Sequence, residues 1–119
     1  MKPKYIHTNV EIKQTPKKHG TACGDVVEVY RDGISTNIIL CDGLRSGLKG
    51  HIYPRMCCSR IVEMLRNGTS LKKTFETVGD TMNKAWGKNE PFSVFTICRI
   101  LDNGNTTVLA YDMPLPIFV

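Results

Sequence analysis

An α+β domain with a mainly antiparallel sheet is predicted by three observations. Residue patterns with a period of two lie towards both ends of the chain, two segments with apolar spacings of three and four lie together in the middle, and turn signals separate them. The predicted order is β-β-β-α-α-β-β, with both helices on one face of the sheet. The 119 residues form one domain, 1–119, and its 41% hydrophobic and 23% charged residues are an ordinary globular balance.

The first strand is predicted over Tyr5–Ile12, where Ile6, Thr8, Val10 and Ile12 alternate with Tyr5, His7, Asn9 and Glu11. Residues 14–20 contain Pro16 and Gly20 and read as loop. The second strand runs from Val26 to Arg31. Asp32-Gly33 then supplies a tight hairpin turn in which both central positions can take positive φ. The third strand, Ser35 to Cys41, loses its alternation at Ile38-Ile39-Leu40-Cys41 and is expected to be covered on both faces.

From about Leu48 to Arg66, Tyr53, Met56, Cys57, Ile61, Met64 and Leu65 mark a helical stripe. Pro54 either begins the regular helix or kinks it. Asn67-Gly68 is the predicted stop, and Thr69 or Ser70 caps a second helix whose stripe is Leu71, Phe75, Val78 and Met82. This helix is expected to reach about Lys84, with Trp86 closing its end. Phe92 to Leu101 and Thr106 to Tyr111 form the last hairpin around an Asn103-Gly104 turn. The chain then finishes on the apolar Ile117-Phe118-Val119, which predicts either pairing into a sheet or further chain.

No apolar run approaches the ~20 residues of a membrane helix, and the N-terminus lacks an apolar signal core, so a cytoplasmic protein without membrane contact is expected. Four of the five net positive charges fall in residues 1–20. These lysines punctuate a strand and a loop without interleaved aromatics, which argues against a nucleic-acid partner. Cys23, Cys41, Cys57, Cys58 and Cys98 have no CxxC spacing and lie in or beside apolar runs. They read as reduced, buried thiols behaving as small hydrophobes.

The candidate chemistry lies at the sheet end. Asp25 opens one strand and Asp42 closes the next, so a hairpin brings both carboxylates to one end. A carboxylate at the end of a central strand needs a cation, an arginine or a metal to offset its desolvation. Hard divalent cations take oxygen ligands, which Asp25, Asp42 and the Gly43 carbonyl can supply. An isolated Asp-Gly pair is also a common turn, so the dipeptide alone does not decide between the two.

The ordered set Gly24-Asp25, then Leu40-Cys41-Asp42-Gly43-Leu44-Arg45-Ser46-Gly47, Ser59, Asn67-Gly68, Phe95-Thr96-Ile97 and Met113-Pro114-Leu115-Pro116 resembles metal-dependent type 2C serine/threonine phosphatases. The sporulation stage II protein E branch is the most similar. The resemblance implies half of an α-β-β-α sandwich in which Asp25, Asp42 and Gly43 bind two manganese or magnesium ions and act through metal-bound water. The implied substrate is phosphoserine or phosphothreonine on a partner protein in bacterial signalling.

Two departures qualify this. Arg45 stands where the family has a glycine, and either contacts phosphate or faces solvent. The family's later strands and a further metal-binding aspartate are also missing, because Asp80, Asp102 and Asp112 lie in the wrong contexts. The chain is therefore expected to be an incomplete, weakly active or inactive fragment. The alternative is a non-catalytic protein-interaction or regulatory module on the same scaffold. An open sheet edge and the apolar C-terminus further predict a homodimer.

Overall fold

The computed structural model describes residues 7–12, 25–43, 52–87 and 93–111. The elements are β1 (Asp25–Arg31), β2 (Ser35–Gly43), α1 (Ile52–Arg66), α2 (Leu71–Gly87), β3 (Ser93–Leu101) and β4 (Thr106–Tyr111). The four strands make one sheet in the order β1-β2-β3-β4, antiparallel at every pairing. The α+β class and the helical pair in the middle of the chain are as predicted.

The first predicted strand is a correction. Of Tyr5–Ile12, residues 7–12 are described, and they lie outside the sheet. Their alternation is nevertheless real as exposure, since Thr8 and Val10 are half-buried while His7, Asn9 and Glu11 are exposed. Ile12 breaks the pattern at 50% exposure. A period of two reports an extended segment with one sheltered side, whereas a strand also requires a neighbouring backbone to bond.

Register divides the sheet into two faces. Val26, Cys41, Phe95 and Tyr111 form one cross-strand row, and Glu28, Ile39, Ile97 and Leu109 form the next. The apolar members of these rows meet Cys57, Cys58, Ile61 and Leu65 of α1 and Leu71 and Val78 of α2 in a single core, which puts both helices on that face, while Glu28 at the edge stays exposed. Phe95 anchors it, edge-on to Phe75 at 5.5 Å and stacked on Tyr111 at 5.4 Å. Such ring pairs contribute about 1 kcal/mol each beyond the area they bury.

The α1 stripe is Pro54, Cys57, Cys58, Ile61 and Leu65, all buried. Met56, expected inside, is 63% exposed, because one residue turns the helix by about 100° and Met56 falls beyond the inward arc defined by Cys57 and Cys58. Pro54 lies in the first turn, where its missing N–H has no intrahelical partner to lose. The helix stops in a Schellman arrangement. Thr69 N–H donates to Met64 O at 3.0 Å, Gly68 N–H donates to Leu65 O at 3.1 Å, and Gly68 takes φ 88°. Ser70 caps α2, its Oγ accepting from Lys73 N–H at 3.1 Å. This helix reaches Gly87, past the expected end at Lys84.

Both hairpin turns form where predicted, by different means. Gly104 takes φ 90° after a turn closed by Gly104 N–H on Leu101 O, which is the three-residue loop ending in a left-handed glycine. Gly33 is not in the positive-φ region, contrary to expectation. There the Asp32 carboxylate makes the turn, accepting from Ile34 N–H at 2.9 Å, Ser35 N–H at 2.7 Å and Ser35 Oγ–H at 2.9 Å.

Candidate metal centre

β1 and β2 pair so that Asp25 lies directly opposite Asp42. The hairpin turn fixes this register, and Val26 opposite Cys41 in the core locks it, since a one-residue slip would turn Val26 and Cys41 out of the apolar layer. Alternation then sends Asp25 and Asp42 to the face away from the helices. Asp25 is exposed and Asp42 is half-buried. Directly opposed residues have Cβ atoms about 5 Å apart, and two carboxylates so placed repel unless a cation or donor lies between them.

The Asp42 backbone is held from the next strand. Ser93, fully buried and opposite Gly43, places its hydroxyl 2.9 Å from Asp42 O and 3.0 Å from Val94 O. Its own N–H donates to Met82 Sδ at 3.3 Å, which ties this corner of the sheet to α2. Ser93 carried no signal in the sequence, because its importance depends on the β2–β3 register.

The donor chemistry fits a hard divalent cation, since two carboxylates rooted on opposed residues can converge on one ion. Among the described residues the set is small, since no group of three or more His, Cys, Asp or Glu side chains could hold a metal. Asp80 is exposed on α2 and Asp102 is half-buried in the β3–β4 turn, so neither joins the pair. Arg45 and Asp112, with Gly24 and the Met113–Pro116 stretch, lie outside the described residues, and so do the lysines at 2, 4, 13, 17 and 18.

Directly behind Asp42, Cys41 points into the core. Hydrogen bonding by the Cys57 and Cys58 thiols, then burial, hold its pKa far above the usual thiol range. It therefore stays protonated and is no nucleophile in the folded state. Cys41, Cys57 and Cys58 are buried free thiols, as expected; Cys98 is a free thiol only half-buried, and Cys23 lies outside the described residues. No described helix is long and apolar enough to cross a membrane.

No protein-family model matches the sequence, and no curated protein matches it. The fold is similar to that in a crystal structure of RsbX in complex with magnesium, with a TM-score of 0.53 and 19% sequence identity. The match covers 90% of this chain and 58% of the RsbX chain. A likeness at this identity establishes the shared fold, over somewhat more than half the length of RsbX.

Proposed function

We propose that this chain is a metal-dependent protein phosphatase scaffold of the type 2C class, in the stage II protein E branch, acting on phosphoserine or phosphothreonine of a partner protein. The observation that carries this reading is the direct opposition of Asp25 and Asp42 on a sheet whose fold is similar to that of RsbX, a PP2C-type phosphatase. The family motifs around Gly24-Asp25 and Asp42-Gly43 support the finer assignment.

Asp25, Asp42 and the Gly43 carbonyl would hold manganese or magnesium, with Ser93 fixing the Asp42 main chain behind them. Such cations supply charge neutralisation at phosphoryl oxygens and water activation for in-line displacement. The protein's own contribution is to hold two carboxylates in fixed opposition and to keep the Cys41 thiol beside them protonated. Turnover by the chain is low, since two carboxylates bind an ion weakly.

The small donor set among the described residues favours a second reading, a regulatory module that keeps the scaffold without catalysis. Manganese binding by electron paramagnetic resonance and aryl phosphate hydrolysis with and without manganese separate the two. The phosphatase reading expects weak binding and slow, metal-dependent turnover, both lost in Asp42→Ala. Binding without any turnover favours the module. Manganese held equally well by Asp25→Ala and Asp42→Ala overturns the site itself.

A further inference from the structure

Cys58 Sγ lies 2.8 Å from Cys41 Sγ, inside ordinary sulfur contact distance, and also 3.7 Å from Val26 O and 3.9 Å from Ile39 O. Cys58 therefore sits over the β1–β2 row that contains Cys41, with both residues wholly buried. An S–S bond of about 2.05 Å requires the two sulfurs to approach by only ~0.8 Å. The 2.8 Å contact belongs to Cys58, while Cys57, buried next to it on α1, is the alternative partner. A soft-metal site is not supported, since no described group of three ligands could hold an ion.

We infer that Cys41 and Cys58 are a reversible disulfide pair that ties β2 to α1 when the chain meets a small-molecule disulfide oxidant. The two cysteines are 17 residues apart in sequence, and the enclosed segment carries Asp42 and Gly43. The bond would join the end of β2 to the first half of α1 across that segment, independently of any phosphatase activity.

The chemistry balances as two exchanges. On local opening, one cysteine thiolate attacks the small disulfide RSSR, forming a mixed disulfide and expelling RS⁻ with the bonding electron pair. The second cysteine's thiolate attacks the protein sulfur of the mixed disulfide and expels the second RS⁻. Two protein thiols thus lose two protons and two electrons, and RSSR becomes two RSH. Burial makes formation slow, since a small disulfide reaches these sulfurs only in the opened state, and equally protects the closed bond from reduction.

The test equilibrates the whole chain in mixtures of oxidised and reduced glutathione, quenches with an alkylating reagent in denaturant and maps the peptides. The expected product is a Cys41–Cys58 linked peptide lighter by two hydrogen atoms. The thermal midpoint should rise by roughly 10 °C, as expected for closing a loop of this length. Cys57→Ser should retain the product and Cys58→Ser should lose it. Should Cys58→Ser not fold, the wild-type map decides alone. A bond through Cys57 or Cys98, a persistent glutathione adduct without the internal bond, or free thiols in the most oxidising mixture would each overturn the pairing.

Discussion

Asp32 shows how one side chain can replace a backbone conformation. With Gly33 outside the positive-φ region, the turn depends on three hydrogen bonds to the Asp32 carboxylate, reinforced by Asp32 N–H on Ser35 O at 3.1 Å. Partial burial pushes its pKa up, but the bonds from Ile34 and Ser35 and the Arg99 charge outweigh this, and the net shift is downward. A carboxyl held below its ordinary value of 3.8 stabilises the fold above that pH, and the contribution disappears as pH falls through the lowered folded value. Asp32→Ala should therefore cost about 1–2 kcal/mol near neutral pH in urea melts and much less in strong acid. A cost that does not change with pH would place the effect in packing.

At the scale of elements, legibility followed the range of the interaction. The stop of α1 and the cap of α2 were readable because Gly68 and Ser70 act within one turn of themselves, whereas α2 continues to Gly87, past the expected end at Lys84. The inward arc of α1 was only half readable. Cysteine is small enough to look incidental in a list of apolar spacings, yet Cys57 and Cys58 face inward while the larger Met56 faces out. Tyr5–Ile12 failed for the opposite reason, since the alternation holds over residues 7–11 but no partner edge was specified. Gly79 gives the element-scale prediction. It is buried within α2, and an added Cβ would meet the Tyr111 ring at 3.5 Å, an ordinary contact. Gly79→Ala should thus gain helix propensity without a clash and raise stability by about 0.5–1 kcal/mol in the same melts. A loss would show that α2 and β4 are too tightly packed to admit a methyl group.

For the whole molecule, the sheet is a platform with two distinct sides, one buried under helices and the other presenting Asp25 opposite Asp42. The pairing of these two acids was legible because a short hairpin leaves little choice of register. Ser93 was not, since its contact with Asp42 O joins residues 51 apart in sequence. An ion held by Asp25 and Asp42 would couple metal binding to stability. An ion that binds only the folded chain stabilises it by about 1.4 kcal/mol at ten times its dissociation constant. Manganese should therefore raise the thermal midpoint by several degrees, and a chelator should reverse the rise. Asp42→Asn removes a carboxylate ligand while keeping the side chain's size and shape, and should abolish the manganese-dependent rise in thermal midpoint. A variant that melts lower without metal yet keeps its response to manganese would show that the ion binds elsewhere and that Asp42 serves the sheet alone.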